Sequence, residues 1–456
     1  MNSSAFNIVR IPELRKKLLL TLGLLLVYRV GFHVPLPGVN IEALQDAADQ
    51  SGALGQIFGI LSAVTGSRLG SAMLFSLGVM PYISASIIFS LLTKVVPSLE
   101  KLSKEGASGQ RKINQYTRLA TVAICFVQSF FVIGYLAGSG GSALVDPSIA
   151  SWPYYLGVMV ALTASTLFIM WLGEQITEHG IGNGISIIIM AGIIATVPTA
   201  LVRHFRSQLD STEQFQQMLL YAVSWVLIIL GIVFITKGQR RIPIQQAKLT
   251  RGTAAQTGQR HFFPFKVNSA GVMPIIFASA LMIVPSLLEG MGLGWFHNFR
   301  QQDSFWYIVL FSTLIIFFAF FWVQMMFQPT EIANNLREYG SFIPGIRPGK
   351  KTADYLGFVI SRVTLAGSVF LCIVAVLPNF VTSGIGLGAN STFAYFLGGT
   401  SILIVVEVAL DMVEKLNAHL VMRNYEGFMD DSSGNKQQRG TGGVTSPGWG
   451  RRSRSE

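Results

Sequence analysis

Charge is what this chain has least of. Only 12% of its 456 residues are Asp, Glu, Lys or Arg, about half of the roughly 25% usual in soluble domains, which argues against a water-soluble enzyme of one or several domains. Cysteine is nearly absent as well. Cys125 and Cys372 each lie inside an apolar run with no second thiol or His beside them, so neither a structural disulfide nor a thiolate metal site is supported, and both read as packing residues. There is no Walker A pattern, and no paired Asp, Ser with His, or metal-ligand cluster falls within the apolar runs. Nothing therefore points to an enzyme, a cofactor or an energy source of the chain's own. Apolar residues dominate instead: 51% are of the AVILMFWYC set, Gly adds 46, and mean hydropathy is +0.50. Disordered, collagenous and disulfide-scaffold classes are excluded together.

A helix needs about 20 mainly apolar residues to cross roughly 30 Å of hydrocarbon, because its backbone finds no water there and must bond to itself. Ten stretches meet that requirement, near 18–34, 74–96, 119–137, 153–173, 184–202, 218–236, 270–288, 305–327, 363–380 and 393–412. Trp152 and Trp171 would stand about 28 Å apart along the fourth, one indole at each interface. Arg15, Lys16 and Lys17 precede the first stretch, but it runs on to Val34 and PLPG without a small-residue cleavage site, so it reads as a retained helix and not a signal peptide.

Charge sets the orientation. With the N-terminus inside, segments 1–17, 97–118, 174–183, 237–268, 328–362 and 413–456 carry 28 Lys or Arg, against Arg68, Arg203, Arg206 and Arg300 on the other side. Topology thus explains most of the net charge of +11, and both termini are expected in the cytoplasm. The expected fold is an all-α membrane protein of ten transmembrane helices. Its halves, 1–202 and 218–412, hold five helices each around an external hinge loop at 203–217. An odd number per half inverts one against the other, giving a pseudo-twofold axis in the membrane plane and a pathway between the halves.

Two segments are irregular. Residues 35–73 are too rich in Gly, Ser and acids to span, yet Ile57, Phe58, Ile60, Leu61, Val64 and Leu69 make a short amphipathic stretch. It reads either as an interfacial helix on the outer face or as a segment folded back into a cavity. In the cytoplasmic tail, 413–456, the part from about 431 is Gly, Ser and Arg rich and is expected to be disordered; no function is assigned to it.

Six segments then combine: GVMPYISASII at 78–88, KEGASGQRKINQYTR at 104–118, WLGEQITEHGIGNGISIII at 171–189, KVNSAGVMPIIFAS at 266–279, FIPGIRPGKKTADYL at 342–356 and LGGTSILIVV at 397–406. With the ten-span plan, this pattern closely resembles the SecY family, the central subunits of the bacterial protein translocation channel, from about Pro12 to Tyr425. The resemblance implies an hourglass pore closed at mid-membrane by a ring of aliphatic side chains, here Val79, Ile83, Ile185, Ile189, Ile276 and Ile404. A waist of branched alkyl groups excludes water and ions by dewetting, yet widens around an extended chain because it makes no directional bonds. The resemblance also makes residues 57–71 a plug filling the outer funnel. It places a sideways-opening gate between the second and third spans and the seventh and eighth, with Ser86, Ser90, Thr93 and Asn268 along the seam. The loops 237–268 and 328–362, with Arg240, Arg241, Lys248, Arg251, Arg347, Lys350 and Lys351, become the docking site for the motor ATPase SecA and the ribosome. Basic loops suit phosphate and acidic surfaces alike.

SecE-like and SecG-like membrane subunits, signal sequences, unfolded polypeptides and membrane lipid complete the implied partners, in the cell inner membrane. The main alternative is a secondary transporter of a small solute, which shares inverted halves and broken helices. Such a transporter normally holds an ionisable residue at mid-membrane, whereas Arg29, Glu407 and Asp411 all lie toward the ends of their spans.

Overall fold

The computed structural model describes residues 12–39, 73–138, 145, 149, 151–206, 212–246, 260–282, 285, 297–300, 304–384, 401–418 and 420. The candidate plug residues Ile57, Phe58, Ile60, Leu61, Val64 and Leu69, the docking residues Lys248 and Arg251, and the tail beyond 420 lie outside them.

The protein is mostly helical. In chain order it forms α1 (Pro12–Gly31), α2 (Met80–Val95), α3 (Pro97–Lys104), α4 (Ala107–Gly138), α5 (Trp152–His179), α6 (Gly184–Arg206) and α7 (Thr212–Thr236). Strands β1 (Gln239–Gln246) and β2 (Arg260–Lys266) follow. Then come α8 (Met273–Leu281), the single turn α9 (His297–Arg300), α10 (Phe305–Met326), α11 (Pro329–Glu338), β3 (Ser341–Phe342), α12 (Lys350–Gly384) and a helix over 401–418, α13. Among the described residues, Trp152–His179, Phe305–Glu338 and Lys350–Leu377 are long and apolar enough to cross a membrane, as is the bent pair α2 and α3 taken together.

Local chemistry places the breaks. Val96 precedes Pro97, whose ring disfavours helical backbone at the residue before it; Val96 is extended (φ −94°, ψ 113°), and α3 leaves α2 at 98°. At the other end of α2 the apolar run from 74 does not begin as helix. Gly78 adopts φ +56°, a conformation only Gly takes without strain, and helix starts at Met80, with Pro81 where a missing N–H is harmless. Within α3, Lys104 donates to Glu100 at 2.7 Å and holds its carboxyl below the ordinary range.

Two sets of elements pack closely. In the first, α1 and α4 flank α5, α5 packs on α6, and α2 packs on α4; in the second, α10 packs on α8 and α12, and α12 carries α7 and α11. Among these elements, extensive contact stays within 12–206 or within 212–384. Arg118 on α4 grips Glu174 on α5 through two bonds of 2.8 and 2.9 Å, a forked, charge-assisted pair. Trp152 and Trp171 are 70% and 48% exposed on α5, although the helix runs about two turns beyond Trp171.

The fold differs from the all-α expectation in one place. The two basic loops carry a three-stranded antiparallel sheet of order β2-β1-β3, with Arg240 opposite Phe265, Ile242 opposite Phe263, and Gln245 opposite both Arg260 and Phe342. The physical reason lies in the alternation of QRRIPIQQ: Ile242 and Ile244 point inward while Arg241 and Pro243 face out. Period two is a strand signal, and Ile242 and Phe265 bury themselves against Val323, Leu356 and Val359 on α10 and α12. The same contacts extend the ninth helix. Lys350–Arg362, read as loop from its charges, is helical because Leu356, Val359, Ile360 and Val363 recur at three- and four-residue spacing toward that core. Helix also occupies 203–206 and 212–217, within the expected hinge loop.

Candidate pore constriction

Four separate elements supply the six aliphatic residues singled out from the sequence. Val79 caps α2 and Ile83 lies one turn later; Ile185 and Ile189 are one turn apart on α6; Ile276 is on α8 and Ile404 on α13. All six meet in a single apolar cluster. Val79 and Ile404 are 1% and 3% exposed, Ile83 and Ile189 are buried, and Ile185 and Ile276 pack half-buried against them. The same cluster holds Tyr28, Phe32, Phe75, Ile169, Leu172 and Ile176 from α1, the turn after it, the turn before α2, and α5.

The position of Ile185 depends on two glycines. A Cβ on Gly184 would overlap the carbonyl of Gly173, and one on Gly173 would come within 2.9 Å of the Ile185 side chain. Two bare backbones thus bring α5 and α6 into near contact. Asn183 then starts α6, its Oδ1 accepting from the Ile185 N–H at 3.1 Å, the usual service of an N-cap. Thr177 closes the corner, accepting from the Gly184 N–H at 2.9 Å and donating to the Gly173 carbonyl at 2.8 Å. The sequence shows Gly173 in WLGEQ and Gly184 in EHGIGNG but not this pairing, which joins residues 11 positions apart.

The seam residues divide. Ser90 Oγ donates to the Ser86 carbonyl at 2.7 Å and Thr93 Oγ1 to the Ser90 carbonyl at 2.8 Å, so these hydroxyls serve their own helix. Asn268 behaves otherwise: it is buried, and neither its amide nitrogen nor its oxygen has a partner. Glu407 Oε2, on α13 three residues beyond Ile404, is also buried and unpartnered.

The docking residues within the described chain are all solvent-facing. Arg240 and Arg241 are exposed on β1, and Arg347, Lys350 and Lys351 on the turn into α12. Gly345 and Gly349, at φ +83° and +103°, frame Arg347, and Thr352 Oγ1 holds the Arg347 carbonyl at 2.9 Å. Because β3 pairs with β1, one sheet joins the two basic segments, a link that sequence reading missed. Among the described residues no group of His, Cys, Asp or Glu is arranged to hold a metal.

A helical membrane protein in which apolar residues from distant parts of the chain meet in one buried cluster is the class these features define. Comparison with known proteins narrows it. The SecY family model matches residues 73–413. The protein translocase subunit SecY of Streptomyces scabiei is 43% identical over 437 residues, 92% of this chain and 97% of that protein. The chain belongs to the SecY family. A solved protein conducting channel shares the fold at a TM-score of 0.61 and 20% identity, over 89% of this chain and 93% of that one. Sec61 in the canine ribosome-channel complex from the endoplasmic reticulum aligns at 0.58 and 19%, over 89% and 93%. This membership does not favour the secondary-transporter alternative.

Proposed function

We propose that the chain is the central subunit of a protein translocase, a gated channel that conducts unfolded polypeptide across the inner membrane and releases apolar segments sideways into lipid. The observation that carries the reading is the convergence of Val79, Ile83, Ile185, Ile189, Ile276 and Ile404 in one buried cluster. These six, separated by up to 325 positions, all carry branched alkyl side chains. Such a waist seals by dewetting and yields without breaking a hydrogen bond.

Ten spans in two inverted halves, 1–202 and 218–412, with both termini cytoplasmic, fit the charge distribution and the separation of close packing into two sets. Sideways release would part α2 and α4 from α8 and α10. Each of those pairs is tightly packed within itself, which suits walls that move as units. Residues 57–71 would fill the outer funnel as a plug. The sheet-borne Arg240 and Arg241, with Arg347, Lys350 and Lys351, would receive SecA or the ribosome, and with no chemistry of its own the channel takes its driving force from them. SecE-like and SecG-like subunits would flank it.

Ile404→Asn tests the waist. Hydrating that position is expected to raise the resting ion conductance of reconstituted channels and to admit precursors with defective signal sequences; conductance and selectivity equal to wild type would remove Ile404 from the seal.

A further inference from the structure

Residues 266–276 form a strap between the sheet and the waist. Lys266 ends β2, and the Val267 N–H donates to the Gly238 carbonyl at 2.9 Å. The strap then lies on α12, where a Cβ on Gly367 would overlap the Val267 carbonyl. Ala270 belongs to the core beneath the sheet, Val272 packs against both large membrane cores, and Ile276 reaches the waist. One ion pair ties this strap to α13: Lys266 Nζ stands 3.1 Å from Glu414 Oε2, both half exposed. Glu414 is ten residues beyond Ile404, so the pair joins the two elements that contribute Ile276 and Ile404.

A second carboxylate lies nearer the waist on the same helix. Glu407 precedes Glu414 by seven residues, two turns or about 10 Å along the axis. Its Oε1 faces Gly271 of the strap, 3.1 Å from where a Cβ would stand, while its Oε2 is buried without a partner. Gly271 is at φ +64°, so this close approach is built into the strap. The third acid on this face, Asp411, is occupied by Lys415 at 2.7 Å.

We propose that Lys266 is a positioning residue that latches the waist, pairing with Glu414 when the waist is shut and passing to Glu407 when it widens. The inference rests on the channel reading above. A half-exposed ion pair is weak, and so is easily released by a load on the sheet. On arrival the buried Glu407 oxygen gains the partner it lacks, offset by the cost of desolvating the Lys266 ammonium. Two states of similar energy are what a gate requires. A partner engaging Arg240 and Arg241 would pull on β1, hence on the strap, hence on Ile276.

Single-channel recording of the complete translocase in planar bilayers tests this. Glu414→Gln is expected to lengthen open time about two- to fivefold at rest, the range an exposed pair supports. The exchanged pair Lys266→Glu with Glu414→Lys should restore the closed dwell but shorten the open dwell, because Glu407 then meets no cation. Glu407→Gln, which keeps the side chain's shape, should shorten the open dwell alone. Wild-type dwell times in both single variants, or an exchanged pair as leaky as Glu414→Gln, would overturn the latch while leaving the channel reading intact. A wild-type translocase that neither gates nor passes a chain would overturn both.

Discussion

The tightest tolerances in the constriction belong to its smallest residues. Gly184 faces the Gly173 carbonyl with no room for a methyl group, so Gly184→Ala must force α5 and α6 apart. Overpacking of this kind costs about 1–3 kcal/mol, and thermal unfolding in detergent should show that loss together with greater ion leak, since Ile185 moves with the helix. A variant as stable and as tight as wild type would show that the near contact is not needed. The ring residues themselves were legible only through family resemblance. The run ISIIIM at 185–190 offers four isoleucines to any periodicity argument, and apolarity does not distinguish the one that faces a pore from those packed behind it. The structure places Ile187 and Ile188 deeper, at 2% and 0% exposure, than Ile185. Asn268 and Glu407 stood out in sequence, but their lack of partners did not, because whether a polar group is satisfied depends on chain segments far away.

At the scale of elements, every apolar stretch read from the sequence has helix somewhere within it among the described residues, because about twenty apolar residues leave a backbone in lipid few alternatives. The sheet was missed for a matching reason. A scan tuned to long apolar windows passes over eight residues in which only Ile242 and Ile244 turn inward, interrupted by Pro243 and paired to β2 across a 13-residue gap. That sheet gives its own prediction. Ile242 is 2% exposed in the core against α10 and α12, so Ile242→Ala should cost about 2–5 kcal/mol. Limited proteolysis should then cut 237–268 and 328–362 together; cleavage confined to one segment would show that they do not form a unit. On α4 and α5 the forked Arg118–Glu174 pair is partly shielded at Glu174, and a double-mutant cycle of Arg118→Ala with Glu174→Ala should return about 1 kcal/mol of coupling. Strict additivity would demote it to a surface contact.

For the whole molecule, one material difference stands out: the cluster that holds the six candidate ring residues is apolar, whereas the sheet end is charged. On the proposed reading, partner binding and chain conduction are thereby separated in space and joined through the strap at 266–276 and α13. The basic body built by β1, β3 and the Arg347 turn draws its charges from the same excess of Lys and Arg that sets the expected orientation. The central claim is that an extended polypeptide passes between the residues of the buried aliphatic cluster. It is tested most directly by arresting a secretory chain part-way through the reconstituted translocase and placing a photoreactive side chain in turn at Ile83, Ile189 and Ile276. All three positions should crosslink to the same short stretch of the arrested chain, and a probe at the exposed Leu119, outside the cluster, should not. Crosslinks to lipid alone from the three ring positions, or to the chain only from outside the cluster, would contradict the account.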